Sequence, residues 1–357
     1  MRVACAVSPP SRSASRGRLV GRVKSITTYP LKGARGESLR SSRVEKGSSV
    51  ENDRAFALLR HENIEKRWSP GSDPETNAGD ILRAGPAKDP GHHSNKHLFH
   101  QLITDPSLAK VSARRVGERG VQIVLPGSSP PRVLAACADV LVASEREPVE
   151  RFFSTFLETA SGEASKPPRL TFASGHSFAN VGGKPGEHVL HINAEPSVEA
   201  AFRRLSRKEG REKESLASFA ARFRANLVVE DAGDGTLRAF DELAWCGRTL
   251  RVGDEVEVRV NEPTIRCPST RAEVPDASFN EDDEDVFETE TFLRAPVDVE
   301  RVVPDLDARV AFPDLTGSIF GREPVRLAEK GSYFGVYATV TRGGVITEGD
   351  EVRLEET

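Results

Sequence analysis

The sequence predicts a mixed α+β fold made mostly of antiparallel strands, with barrel-like sheets and packed helices. Short segments that alternate apolar and polar residues recur along the chain, and Pro or Gly turns separate them. Two of these segments, LRVGDEVEV (250–258) and ITEGDEVRL (346–354), share a Gly-Asp turn followed by an alternating strand. That pattern is typical of β-barrels. Stretches with helical spacing lie between the strands, which makes the fold mixed.

The first half of the chain indicates a small β-barrel or sheet domain. The strands expected here lie at 19–26, 54–59, 120–125 and 140–142. The polar stretch 61–97 predicts a long surface insertion. A helix is expected at about 148–159, where Pro148 suits a first turn. One face of it would be apolar, formed by Val149, Phe152, Phe153, Phe156 and Leu157.

The second half begins after a Gly-, Ser- and Pro-rich linker at 161–168. A strand is expected at 189–192, followed by a helix that Ser197 would cap. A charged helix over 210–222 leads into the segment RFRANLVV (222–229). The acidic run at 281–290 is most simply a solvated loop.

Composition excludes several functional classes. The net charge of −4 gives no field that would favour nucleic acid, and no apolar run approaches the roughly 18 residues of a transmembrane helix. The four cysteines have no C-x-x-C spacing and are too sparse for a disulfide framework. They also lack the tight local cluster that an internal plant-type iron–sulfur domain needs. Residues 1–36 contain no Asp or Glu but several Arg and Ser. They suit either a short disordered leader or a mitochondrial transit peptide, so both a cytoplasmic and a mitochondrial location stay open.

The segment NEPTIRCPST (261–270) places a cysteine, Cys267, directly after an arginine and before Pro268, Ser269 and Thr270. Arg266 would favour the thiolate of Cys267, and Ser269 and Thr270 can donate hydrogen bonds to it. Cys267 is therefore a candidate soft metal ligand or nucleophile. The alternative is a buried cysteine that packs as a small apolar side chain.

The ordered combination of several motifs resembles MOSC proteins. The stretch ITTYPLKGARGESL…GSSVENDRAFALL (26–59) is similar to their N-terminal β-barrel, with Y-P-x-K and a later D-R. The segments RFRANLVV, FDELAW, LRVGDEVEV and RCPST are similar to the MOSC domain, and the end of the chain also matches. The most similar branch contains the mitochondrial amidoxime-reducing component. The resemblance implies a leader at 1–18, an N-terminal β-barrel domain at 19–165 and a MOSC domain at 166–357.

The resemblance also implies a molybdenum–molybdopterin cofactor, with Cys267 as the catalytic thiolate on molybdenum. A soft thiolate suits such a site. Basic and amide contacts to the cofactor are expected from Lys32, Gly33, Arg54, Asn193, Ser197, Arg224, Asn226, Thr264, Arg266 and Tyr337. From the residues alone, several of these have simpler explanations. Lys32 suits a solvated turn, Arg54 an ion pair with Asp53, Ser197 a helix cap and Tyr337 a strand core.

The activity that the resemblance implies is reduction of small N-hydroxylated or N-oxide substrates. Electrons would come from a separate protein, as cytochrome b5 and its reductase supply them in relatives. Two alternatives stay open. One is sulfur transfer through Cys267, as in the enzymes that sulfurate the molybdenum cofactor; the other is a non-catalytic module that binds molybdopterin. Gly33 and Ala225 depart from the residues that relatives often carry, and the insertions at 61–97 and 281–290 leave the substrate open.

Overall fold

A computed structural model provides the structure of the chain. It describes residues 17–67, 98–128, 130–162, 166–173, 178, 190–205, 214–266, 268–272, 274–275, 293 and 333–355.

The described residues form fifteen strands, four α-helices and three short 3₁₀ helices. The strands are β1 Arg18–Thr28, β2 Glu37–Leu39, β3 Ser41–Val44, β4 Phe56–Leu59, β5 Ser112–Val116, β6 Gly120–Val124, β7 Val133–Cys137, β8 Arg169–Phe172, β9 Leu190–Ala194, β10 Leu227–Glu230, β11 Thr249–Val252, β12 Val256–Ile265, β13 Tyr333–Arg342, β14 Gly344–Thr347 and β15 Glu351–Leu354. The α-helices are α1 His61–Arg67, α2 Ala143–Ser161, α3 Glu195–Leu205 and α4 Leu216–Arg222. The 3₁₀ helices are Pro106–Lys110, Asp241–Trp245 and Pro268–Arg271.

Seven strands close into a β-barrel. Their order is β10-β9-β13-β12-β11-β15-β1, and β1 pairs again with β10 to complete the ring, while β2 extends from β1. Strands β9 and β10 are parallel, and the other barrel pairs are antiparallel. The predicted α+β fold class with a barrel is confirmed.

Alternation along the strands fills the barrel with aliphatic side chains. In β12, Val256, Val258 and Val260 are fully buried and belong to the barrel core. In β9, Leu190, Ile192 and Ala194 join the same core, and His191 and Asn193 point to the opposite face because neighbouring strand residues alternate. Both of these polar residues are also buried. Strand β9 is therefore covered on both faces, and its outer face carries polar groups.

A second core lies around the strands of the first half. Strands β5, β6 and β7 form one antiparallel sheet, and β4 pairs with β8. Helix α2 packs Val149, Phe153 and Phe156 into this core. The loop that leaves β1 joins this second core, since Leu31 bridges to Phe56 and Arg35 bridges to Ser112.

Three local predictions from the sequence are wrong. Residues 140–142 form a turn rather than a strand, because Asp139 Oδ1 accepts the Leu141 N–H at 2.9 Å and the helix begins directly afterwards. Helix α2 starts at Ala143, so Pro148 lies inside it rather than in its first turn. Helix α3 starts at Glu195, so Ser197 lies within the helix and does not cap it.

Other expectations fall on residues that the structure does not describe. These are most of the leader (1–16), most of the predicted insertion (68–97), the acidic run (281–290) and Cys267 itself. Among the described residues, no helix is both long and apolar enough to cross a bilayer.

Candidate functional site

Two arginines from distant parts of the chain meet on one tyrosine ring. The guanidinium carbon of Arg224 lies 4.2 Å from the centre of the Tyr29 ring, and that of Arg54 lies 4.9 Å from it. Tyr29 is buried, and its hydroxyl donates to the carbonyl of Ala225 at 3.2 Å. The ring thus acts as a fixed platform, and cation–π attraction holds both positive charges against it.

Both arginines adopt left-handed backbone conformations. The φ angle is 52° at Arg54 and 52° at Arg224. A non-glycine residue in this region costs on the order of 1–3 kcal/mol, and such residues concentrate at functional sites. Backbone hydrogen bonds maintain the conformation, from Arg54 N–H to Tyr29 O at 2.7 Å and from Arg224 N–H to Ala221 O at 3.1 Å. These two backbone conformations therefore reduce the stability of the fold, and they direct both arginine side chains toward the Tyr29 ring.

A third arginine, Arg266, joins the cluster from the end of β12. Its Nη2 donates to the carbonyl of Phe223 at 2.8 Å, and its Nη1 lies 3.5 Å from each ring nitrogen of His191. The charge of Arg266 acts on Arg224 and on Tyr29, which places it in the same electrostatic cluster. We call Arg54, Arg224 and Arg266 the arginine cluster.

The arginine cluster carries excess positive charge in a poorly solvated place. Burial, followed by repulsion from Arg54, lowers the pKa of Arg224 to about 10. Asp53 is the counter-charge: it pairs with Arg54, and it accepts hydrogen bonds from the Tyr29 N–H at 3.0 Å and from Ser49 Oγ at 3.1 Å. The cluster thus gathers three guanidinium groups around Tyr29 and His191. Guanidinium groups held in this way are suited to bind an anionic group such as a phosphate.

His191 is a member of the site that the sequence analysis treated only as a strand residue. Its side chain faces Arg266, and its ring centre lies 5.7 Å from that of Tyr337. Burial, then the charge of Arg266, lowers its pKa well below 6.5. The sequence offers no clear signal for it, because a histidine in an otherwise apolar strand is usually packed and neutral.

Two buried polar atoms beside His191 lack a hydrogen-bond partner among the described residues. They are Asn193 Oδ1 on β9 and Thr264 Oγ1 on β12, in residues that are 1% and 0% exposed. Leaving such a group unsatisfied costs about 1–3 kcal/mol, so native proteins usually provide a partner. These two atoms are suited to hydrogen-bond a polar ligand.

Gly335 on β13 allows the polar side chains of β9 to pack closely against the neighbouring strand. Its φ is +73°, and a Cβ at this position would lie 2.0 Å from Asn193 Oδ1 and 2.7 Å from His191 Nε2. Any other residue would therefore displace the polar side chains of β9.

The remaining predicted contacts fall into two groups. Lys32 lies beside the cluster, because its Nζ donates to the carbonyl of Phe178 at 2.9 Å and the Phe178 N–H donates to the carbonyl of Arg54. Gly33 follows it with φ +88°, and Tyr337 is close enough to influence the pKa of Arg54.

The side chains of Asn226 and Ser197 instead form hydrogen bonds to other parts of the protein. The Asn226 amide accepts from the His191 N–H and donates to the carbonyl of Thr27, each at 3.2 Å, so it joins β9 to β1. The Ser197 hydroxyl donates to Glu242 Oε2 at 2.7 Å and accepts from the Phe240 N–H at 2.7 Å. Glu242 is fully buried, and burial raises its pKa to about 7.

Cys267 lies outside the described residues, but the segments on both sides of it are anchored to α4. Arg266 bonds to Phe223 as described, and Arg222 Nη1 donates to the carbonyl of Thr270 at 3.3 Å. Ser218 Oγ donates to the carbonyl of Val274. The helix that leads into Arg224 thus also holds the chain around the predicted metal ligand. Of the other cysteines described, Cys137 and Cys246 are free, and burial raises their pKa values to about 11 and about 12.

Among the described residues, no group of three or more His, Cys, Asp or Glu side chains is arranged to hold a metal ion. A metal bound by several protein ligands of these types is therefore not found in the described part of the chain.

Comparison with known families gives one match. Residues 176–353 match the family model for the MOSC domain. The matched range includes β9 to β13, His191, Arg224 and Arg266, so two of the three arginines of the cluster lie within the match and Arg54 lies before it.

Two solved structures are similar to the chain. YiiM from Geobacillus stearothermophilus is 17% identical, with a TM-score of 0.23, and the match covers 48% of this chain and 56% of YiiM. The YUAD protein from Bacillus subtilis is 8% identical, with a TM-score of 0.30, and the match covers 94% of each chain. No curated protein sequence matches.

Proposed function

We propose that the protein binds the molybdenum–molybdopterin cofactor at the arginine cluster and reduces small N-hydroxylated or N-oxide substrates. MOSC domains are associated with this cofactor. The observation that supports binding is the convergence of three arginines, two of them in left-handed conformations, together with two buried polar atoms that have no hydrogen-bond partner in the described part of the chain. An apolar core or a simple ion-pair network would require neither feature.

The described residues fit the organic part of the cofactor. Its phosphate needs cationic donors, and arginine can grip phosphate oxygens with two parallel hydrogen bonds. Arg54 and Arg224 are already desolvated and fixed on Tyr29, so little side-chain freedom remains to be lost on binding. The pterin has polar edges, and Asn193 Oδ1 can accept a hydrogen bond while Thr264 Oγ1 can donate or accept one.

The predicted contact residues take different roles in this proposal. The arginine cluster binds the phosphate, with Lys32 supporting Arg54 through Phe178. Asn193 and Thr264 orient the pterin, and Gly335 allows Asn193 and His191 to hold their positions. Asn226 acts indirectly by joining β9 to β1, and Ser197 acts indirectly by joining α3 to Glu242. Cys267 is proposed as the thiolate ligand of the metal.

When bound, the cofactor supplies a centre that accepts the oxygen of the substrate and stores two electrons, which side chains cannot do. The electron donor is proposed to be a separate protein, such as cytochrome b5 with its reductase.

The deciding experiment measures molybdenum and pterin in purified protein. Wild type is compared with Cys267→Ala, Arg224→Gln and the exposed control Arg43→Gln, with circular dichroism to verify the fold. We expect Cys267→Ala to lose molybdenum, Arg224→Gln to lose both metal and pterin, and the control to lose neither. Equal molybdenum in wild type and Cys267→Ala would refute the role of that thiol.

A cofactor-binding module without catalysis is the second candidate. The arginine cluster supports it as strongly as it supports the enzyme, because the cluster explains binding and not turnover. Loaded protein is mixed with a reduced donor and a panel of N-hydroxylated compounds. Oxidation of the donor that depends on the compound supports the reductase; tight cofactor binding without it supports the module.

A further inference from the structure

A cavity lies beside the contact between β1 and β15, which we call the seam of the barrel. Its volume is about 430 Å³, and it is lined by these two strands, the loop after β10 and the 3₁₀ helix Asp241–Trp245. Arg18 pairs with Leu354 across the seam, and both residues line the cavity. Ligand pockets commonly measure roughly 300–1,000 Å³, so the space suits a small organic molecule. The described lining residues include none of the arginine cluster.

One wall of the cavity is apolar. Its residues are Val20, Leu237, Trp245 and Leu354, which also belong to the buried core of the barrel. Because packed core side chains hold their positions, this wall exists before any ligand arrives. Ala244 extends the wall at the protein surface, where it is exposed. An aromatic or aliphatic group of a ligand can therefore lie against this wall.

Three arginines line the rest of the cavity, and none of them has an ion pair in the described part of the chain. They are Arg18, Arg238 and Arg248. Arg248 Nη2 donates to the carbonyl of Glu355 at 2.9 Å, and its buried Nε has no hydrogen-bond partner among the described residues. The carboxylate found among the described lining residues is that of Asp241, which accepts the Arg238 backbone N–H at 2.9 Å. The lining is therefore cationic, and guanidinium groups bind carboxylate, sulfonate or phosphate oxygens well.

We propose that this cavity binds a small organic anion. The charged group lies between the arginines, and the apolar body lies against Leu237 and Trp245. An inorganic ion would leave the apolar wall without a contact, and a neutral molecule would leave the arginines without a counter-charge. Because both β1 and β15 line the cavity, the bound molecule contacts the first and the last strand of the barrel and stabilises their pairing. This site is additional to the proposed cofactor site, and it does not depend on the proposed function.

Fluorescence titration with 8-anilinonaphthalene-1-sulfonate tests the proposal, because this probe joins a sulfonate to an aromatic body. The chain has two tryptophans, Trp68 and Trp245. In a Trp68→Phe background, energy transfer to the probe reports binding beside Trp245. We expect saturable binding of one probe per chain, with energy transfer. N-phenyl-1-naphthylamine has the same aromatic body without the charge and should bind about tenfold more weakly, since hydrogen bonds to charged groups are the stronger ones.

Variants separate the charged part of the site from the apolar part. Arg248→Gln should weaken binding of the sulfonate probe about tenfold and leave the neutral probe unaffected. Arg259→Gln is the matched control, because Arg259 is an exposed arginine of β12 outside the lining, and it should leave both affinities unchanged. Equal sulfonate affinity in wild type and Arg248→Gln would overturn the proposal.

A second variant keeps the test decisive if Arg248→Gln does not fold. Ala244 is exposed, so Ala244→Phe adds a ring at the cavity without enlarging a core side chain. We expect this variant to keep the circular dichroism spectrum of the wild type and to lose energy transfer to both probes. Probe binding that is unchanged in Ala244→Phe, or that gives no energy transfer from Trp245 in the parent protein, would show that the anion binds elsewhere and would refute the site.

Discussion

Glu242 allows the sharpest quantitative prediction, because the fold buries an ionisable carboxyl completely. Its Oε2 accepts from Ser197, while Oε1 has no hydrogen-bond partner among the described residues. Burial raises its pKa from 4.5 to about 7. A tenfold change in proton affinity corresponds to about 1.4 kcal/mol, so the charged form is disfavoured in the folded protein by about 3 kcal/mol.

The sign follows from proton binding. Between pH 4.5 and 7 the folded protein keeps the proton on Glu242 and the unfolded chain has lost it, so the free energy of unfolding falls as pH rises. Above pH 7 both states are ionised and the contribution is constant. Glu242→Gln cannot ionise and removes this dependence.

Urea unfolding at pH 5 and pH 8.5 measures the effect. We expect wild type to lose about 2–3 kcal/mol more between these pH values than Glu242→Gln does. Glu158→Gln, on the exposed side of α2, is the control and should follow wild type. Parallel pH profiles for wild type and Glu242→Gln would refute the reasoning, since they would show that the buried carboxyl is not the titrating group.

Three further outcomes are expected. Gly335→Ala should destabilise the protein in thermal melts by several kcal/mol more than Gly117→Ala, because both positions have positive φ but only Gly335 would bring its Cβ within 2.0 Å of a neighbouring atom. Equal melting temperatures would contradict the close approach. Arg224→Lys should weaken sulfate binding about as much as Arg224→Gln, because lysine keeps the charge but loses the planar fork; full retention by lysine would show that charge alone matters. In the folded protein at pH 8, Cys137 and Cys246 should resist iodoacetamide, because desolvation raises the pKa of their thiols to about 11 and about 12 and little thiolate is present. Peptide mass spectrometry that finds either one rapidly modified would contradict these raised pKa values.

The sequence predicts the barrel well because its strands alternate cleanly. The two Gly-Asp repeats became the β11–β12 turn and the β14–β15 turn, as the pattern indicates. The wrong secondary-structure predictions lie where a local sequence pattern suggests one element but neighbouring residues form a turn or a longer helix. The run 140–142 is apolar like a strand, but Asp139 caps the turn before α2. Pro148 suggested a helix start, yet it is accommodated inside α2.

The site was only partly accessible from sequence. Motif resemblance selected Arg54, Arg224 and Arg266, which the structure brings together on Tyr29 and His191. The alternation of β9 indicates which face His191 occupies, but its contact with Arg266 joins positions 75 residues apart, and no local pattern encodes that contact. The burial of Glu242 could not be predicted from local sequence either, because its hydrogen-bond partner Ser197 lies 45 residues away.

The closure of the barrel has a consequence for how the protein is made. Strand β1 pairs with β15 as well as β10, and the pair Arg18 and Leu354 joins residues that are far apart in the sequence. The ring therefore stays open on the ribosome until β15 has been synthesised, and until then one edge of β1 lacks its partner strand. Contacts of such long sequence separation slow folding, and exposed edges attract other strands. Premature termination before β15 would leave a chain prone to aggregation, which gives chaperones a defined segment to protect.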